Sequence, residues 1–149
     1  MQSSDSLLMK GSLELVVHRA NGDVEVVRKD NIIVNAGFDF ICDAIGKGSG
    51  RPGVMNHIAV GTGTTAAAAS QTALVSEIAR KSATYSHTAG TKIMTFQTTF
   101  NPGEATGALT EAGVFNASSG GIMLDRVVFP VVNKGADDTV TATFTFTLS

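Results

Sequence analysis

The residues best placed to do chemistry lie in "HIAVGTGTTAAAAS", residues 57–70. A short apolar run enters Gly61-Thr62-Gly63-Thr64-Thr65, the order in which a strand feeds a phosphate-binding loop. A P-loop needs a lysine followed by Ser or Thr after its second glycine, because the ammonium group reaches the terminal phosphates. Here Ala66 to Ala69 follow, and no lysine occurs until Lys81. The dinucleotide fingerprint fails as well, because its third glycine is replaced by Ala66. The structural alternative is that Gly61 and Gly63 turn the chain sharply at the end of a strand.

Other reactive side chains do not assemble into a known constellation. His18, His57 and His87 form neither an HxxxH nor an HExxH pair. No serine sits in a G-x-S-x-G elbow, and "ASSGG" at residues 117–121 reads as a turn. Cys42 is the only cysteine, so no intrachain disulfide can form; its setting, Phe40-Ile41-Cys42, suggests a small buried hydrophobe. Glu111 stands among apolar residues in "GALTEAGVF", Glu77 in "ALVSEIAR" and Arg126 in "IMLDRVVF". Charges in apolar segments are costly to bury unless paired. A carboxylate acid/base pair is one reading. The favoured one is an ion pair or network in which Arg126 or Arg80 meets Glu77 or Glu111. No catalytic, cofactor-binding or metal-ligating residue is assigned.

These residues need elements to carry them. "SLELVVHR" (12–19), then Asn-Gly, then "VEVVRKD" (24–30) predicts a hairpin with positive φ at both turn positions. Phe38, Ile41 and Ile45 recur at helical spacing, so a short helix over 36–45, with Asn35 as its N-cap, should pack this face on a sheet. Residues 46–53 then break into a mobile glycine-rich loop. "HIAVG" reads as a strand. Leu74, Val75 and Ile78 suggest either a two-turn helix or a loop with one turn. From residue 80 the pattern is β, with turns at "TAGT" (88–91) and "NASSGG" (116–121). The last strand, "TVTATFTFTLS", alternates: Val140, Ala142, Phe144, Phe146 and Leu148 on one face, threonines on the other. The threonine face fits a solvated surface or a subunit contact. The expected fold is mainly β, an antiparallel β-sandwich or barrel with one or two short helices. A polar arm, residues 1–11, should precede a single β-rich domain, residues 12–149.

The chain has 149 residues, enough for one domain with a real core. Charged residues are 16% of it, against roughly 25% in ordinary soluble domains. Two readings fit, a larger buried fraction than a monomer needs or a surface rich in Thr, Ser and Ala packed against other subunits, and the abundance of those residues in the second half favours the second. A formal net charge of −2, with Arg28-Lys29 and Arg80-Lys81 as short, solvated basic pairs, gives no footprint for nucleic acid. No apolar run approaches the roughly 18 residues of a membrane span, and the first residues do not read as a signal peptide.

Four stretches carry a family likeness: "NIIVNAGFDFICDAI" (31–45), "HIAVGTGTTAAAASQTALVSEIARK" (57–81), "TTFNPGEATGALTEAGVFN" (98–116) and "GGIMLDRVVF" (120–129), followed by the threonine-rich last strand. Their order over residues 12–149 resembles small virion structural proteins of tailed bacteriophages. The resemblance implies a non-enzymatic β-rich block, assembled in the host cytoplasm and repeated by symmetry in the virion, without cofactor. Its partners would be itself, as a homo-oligomer, and other virion proteins, not nucleic acid or membrane. A place in the tail, neck or fibre-anchoring apparatus is favoured over capsid decoration. A receptor- or carbohydrate-binding module is weaker, since the chain has no tryptophan and only Tyr85 as tyrosine. Three contact surfaces are expected: the arm, with Ser6, Leu7, Leu8 and Met9; the glycine-rich loop, with Gly48 and Gly50; and the "GTGTT" loop, with Gly61, Thr62, Gly63 and Thr64.

Overall fold

A computed structural model describes residues 9–149. Ser6, Leu7 and Leu8 lie outside the described residues. Two five-stranded antiparallel sheets face each other across one core, so the architecture is a sandwich and not a closed barrel. The first sheet has the order β2-β1-β10-β7-β6, with β1 Met9–His18, β2 Val24–Asp30, β6 Thr84–His87, β7 Ile93–Phe100 and β10 Thr139–Leu148. The second has the order β3-β9-β8-β4-β5, with β3 Ile32–Ile33, β4 His57–Gly61, β5 Glu77–Ser82, β8 Gly107–Phe115 and β9 Asp125–Lys134. β1 takes in Met9, Lys10 and Gly11, which pair with Leu148, Thr147 and Phe146; the expected arm is shorter by those three residues.

Period-two patterning builds the core. Leu13, Leu15 and Val17 of β1 and Val140, Ala142, Phe144 and Phe146 of β10 are buried, while alternate residues face out. Both flanks of the sandwich are tied by chain that changes sheet. β2 passes through Asn31 into β3, and β5 passes through Ala83 into β6. Ala83 donates its N–H to Asn56 O at this second corner. Such bends let one strand serve two sheets.

The β1–β2 hairpin is present, but its loop is five residues, Arg19–Asp23, between the paired His18 and Val24. Only Gly22 has positive φ, at 94°; Asn21 instead accepts the Asp23 N–H on its side-chain oxygen. That Asx turn replaces the expected two-residue geometry.

Among the described residues one helix forms, α1 Asn35–Gly46. Its N-cap is Val34, not Asn35, because Val34 is fully buried and Asn35 already donates to Ala69 O. Its rotation also differs from expectation. Gly37 lies against the Leu124 backbone, where a Cβ would collide with Leu124 O. That contact turns Phe40 and Ile41 towards the core and leaves Phe38 47% and Ile45 79% exposed. Cys42, expected inside, is exposed on the same outer side.

Of the two alternatives for residues 70–82 the helix is absent: residues 71–76 are loop, and Glu77–Ser82 are strand β5. Leu74 is buried with Val34, Ala59, Phe115 and Met123 on the outer side of the second sheet. Val75 and Ile78 point outwards, at 52% and 43% exposed.

At the β2–β3 corner, Asn31 donates its backbone N–H to Gly11 O and its amide to Asp125 Oδ2 at 2.6 Å. Asp125 is fully buried, and its Oδ1 accepts the Val114 N–H at 3.0 Å. Burial pushes the Asp125 carboxyl well above the ordinary carboxylate range, against the smaller pull of the Val114 and Asn31 hydrogen bonds. A carboxyl whose pKa rises on folding favours the fold while protonated, and penalises it as pH climbs through the folded value. Asn31 Oδ1, buried without a partner among the described residues, is ready to accept from an amide after the Asn31 side chain turns over. Asp125→Asn is therefore expected to raise Tm at about pH 8, with the gain shrinking towards about pH 4. A thermal series across pH checks this; a gain independent of pH contradicts it.

Candidate functional site

The glycine-rich loop closes on an anion that belongs to the chain itself. β8 is the second sheet's central strand, and its pairing with β9 slips between Leu109 and Glu111. The slip places Leu109, Ala112 and Val114 in the main core and leaves Glu111 on the other side, beneath residues 62–76. There its carboxylate accepts backbone N–H groups from Gly63 at 2.8 Å, Val75 at 2.8 Å and Ser76 at 2.7 Å. Arg126 Nε donates to Glu111 Oε1 at 3.0 Å, and both side chains are 0% exposed. The other end of the guanidinium, Nη1, donates to Thr65 O at 2.8 Å and Gln71 Oε1 at 3.0 Å. Gln71 in turn accepts from Ala68 N and donates to Ala66 O. Two buried side chains thereby hold fifteen residues of loop.

Burial raises the Glu111 carboxyl's pKa, but the Val75, Ser76 and Gly63 N–H groups and Arg126 outweigh it, and the carboxyl sits below its ordinary value. A lowered folded pKa stabilises the fold above the ordinary value and loses that contribution as pH falls through the folded one. The hold of Glu111 on the 62–76 loop should accordingly persist through the ordinary carboxylate range and be lost only below it.

The cradle explains the glycines. Neither Gly61 nor Gly63 has positive φ, so neither is required for a sharp turn. A Cβ on Gly61 would collide with Ser76 O and stand 2.6 Å from Glu111 Oε2; one on Gly63 would collide with Glu111 Oε2 and stand 2.6 Å from Val75 Cβ. The loop needs close backbone approach to a carboxylate, much as a nest of N–H groups approaches a phosphate. Gly61→Ala and Gly63→Ala are each expected to cost about 1–3 kcal/mol. Gly48→Ala, with nothing within 4 Å of the new methyl, should stay within about 0.5 kcal/mol. Urea midpoints separate the two outcomes.

The other suspected charges pair separately. Arg80 donates from Nε and Nη2 to the two oxygens of Glu77, at 2.8 and 2.7 Å. Its Nη1 reaches Ala117 O and Gly120 O, and its guanidinium lies 3.8 Å from the Phe115 ring centroid. The Arg80 side chain is 7% exposed, so it is not the solvated strand end that its sequence suggested. It fastens the "NASSGG" turn to β5. Glu77 and Glu111 therefore serve different arginines and form no carboxylate pair.

Of the expected contact residues, Gly61 and Gly63 are buried and offer no outer surface, because Glu111 occupies their inner side. Thr62 is half-buried, bonded through its hydroxyl to Ser76 Oγ; Thr64, Gly48 and Gly50 are exposed, and Met9 is half-buried. One buried cation gave no signal in the sequence. Lys134 is 2% exposed and donates to Asn101 O at 3.1 Å; burial lowers its pKa, against Asp138 and Glu104. "VVNKGADD" reads as an ordinary solvated strand end. Among the described residues no three His, Cys, Asp or Glu side chains gather as a metal site, and no helix is long and apolar enough to cross a membrane. No family model, no curated protein and no solved structure matches this chain.

Proposed function

We propose that the chain is a non-enzymatic structural subunit of a bacteriophage virion, in the tail, neck or fibre-anchoring apparatus, assembling through symmetric contacts between copies. The observation that carries this reading is the outer face of three adjacent strands. It presents threonine at every second position of β10 from Thr139 to Thr147, Ile93, Thr95, Gln97 and Thr99 of β7, and Thr84 and Ser86 of β6. None is charged. Depletion of charge marks the cores of subunit contacts, and short, stiff threonines lose little freedom on ordering. Neighbouring strands already lock these side chains together, Gln97 Nε2 to Thr143 Oγ1 at 2.9 Å and Thr99 Oγ1 to Thr141 Oγ1 at 3.0 Å.

The resemblance of residues 12–149 to small phage virion proteins supplies the setting. The filled glycine loop fits the non-catalytic reading: Glu111, a fully buried carboxylate beside that loop, is saturated by donors from its own chain. The test is to separate purified particles into heads and tails and assay each for this chain by mass spectrometry. Recovery in tail fractions supports the proposal. Recovery on heads turns it into capsid decoration, and absence from particles overturns it.

A further inference from the structure

A second surface, away from the threonine face, is apolar and open. Met9, Phe40, Ile41, Val54, Tyr85 and Met94 line a groove of about 430 Å³ between α1, the loop that follows it and the β6–β7 edge. Val54 is 72% and Tyr85 56% exposed. The groove floor is continuous with the main core, because Phe40, Ile41 and Met94 pack against it. Large apolar side chains grouped in a concave site mark a place where something docks.

The chain outside the described residues ends at this groove. Residues 1–8 are "MQSSDSLL", and Met9, the next residue, is itself part of the wall. At about 3.3–3.6 Å per extended residue, Leu7 and Leu8 are held within about 7 Å of Met9. Such a short tether gives its own groove a very high effective concentration of these leucines, ahead of any second molecule. We propose that Leu7 and Leu8 occupy this groove of their own chain. The inference is independent of whether copies associate through the threonine face.

The groove carries its own reporter. Tyr85 is the single tyrosine and the chain has no tryptophan, so intrinsic fluorescence reads the groove wall alone. The experiment compares acrylamide quenching of Tyr85 in the full chain with that in the Leu7→Ser/Leu8→Ser variant, over a hundredfold range of protein concentration. Val54→Arg, which places charge in the exposed groove wall, is the second variant. The proposal expects stronger quenching in both variants and a fall in Tm of about 4–8 °C in the double serine variant. In the unaltered chain, protection should not change on dilution. Quenching unchanged in both variants overturns the proposal. Protection that disappears on dilution also overturns it, because the occupant is then another copy.

Discussion

Arg126→Ala is expected to cost the fold about 3–5 kcal/mol, a fall in Tm of about 6–20 °C for a chain of this size. The guanidinium is 0% exposed and answers Glu111, Thr65 O and Gln71. Its removal leaves a buried carboxylate without its counter-charge and a loop carbonyl without its donor. Many buried ion pairs can be exchanged for apolar residues at little cost. This one should not be exchangeable, because the carboxylate also serves three backbone N–H groups, from Gly63, Val75 and Ser76. Glu111→Leu/Arg126→Met should therefore remain at least as unstable as Arg126→Ala. Urea titration of the parent, the single variant and the double variant decides the matter. A double variant restored to parental stability would show that the pair alone mattered and the cradle did not.

Phe144→Ala is expected to cost a similar amount, about 3–5 kcal/mol. Phe144 is fully buried in the middle of β10, pairs across to Leu13 and Phe96, and stacks beside Phe146 at 6.2 Å between centroids. β10 is the central strand of its sheet, with β1 and β7 on its two sides, so neighbouring side chains have little room to collapse into the space left behind. Thr143→Ala, one residue away on the outer face, should stay within about 0.5 kcal/mol. Chemical denaturation of both variants tests the inward and outward sides of the same strand. Equal losses would mean that the strand is not packed as described.

The parts legible in the sequence are those in which local pattern and burial agree. The alternation in "TVTATFTFT" needs no tertiary information, because a half-buried strand has period two. Glu111 and Arg126 stood out because charge in an apolar run must be answered by something nearby. The misreadings came from contacts that no local pattern encodes. Val75 and Ser76 give their N–H groups to a carboxylate about 35 positions further along, so a segment with helical spacing becomes a tethered loop and then an edge strand. α1 is turned by one close approach, Gly37 on Leu124, and the periodicity of Phe38, Ile41 and Ile45 carried no trace of that. Asn31 and Ala83, where the chain changes sheet, look like ordinary residues between strands. Gly61 and Gly63 were singled out correctly as special positions, but their role is proximity to Glu111 and not backbone conformation.

The proposed association of copies would run through the uncharged outer face of β10, β7 and β6. Light scattering on the full chain tests it most directly, alongside Thr143→Lys/Thr95→Lys, which sets two positive charges on that face without touching the core. The parent should run at a discrete multiple of the 15.4 kDa chain mass and the variant as a folded single chain. A parent that stays at one chain mass across the concentration range, or a variant that keeps the parent's mass, would contradict it.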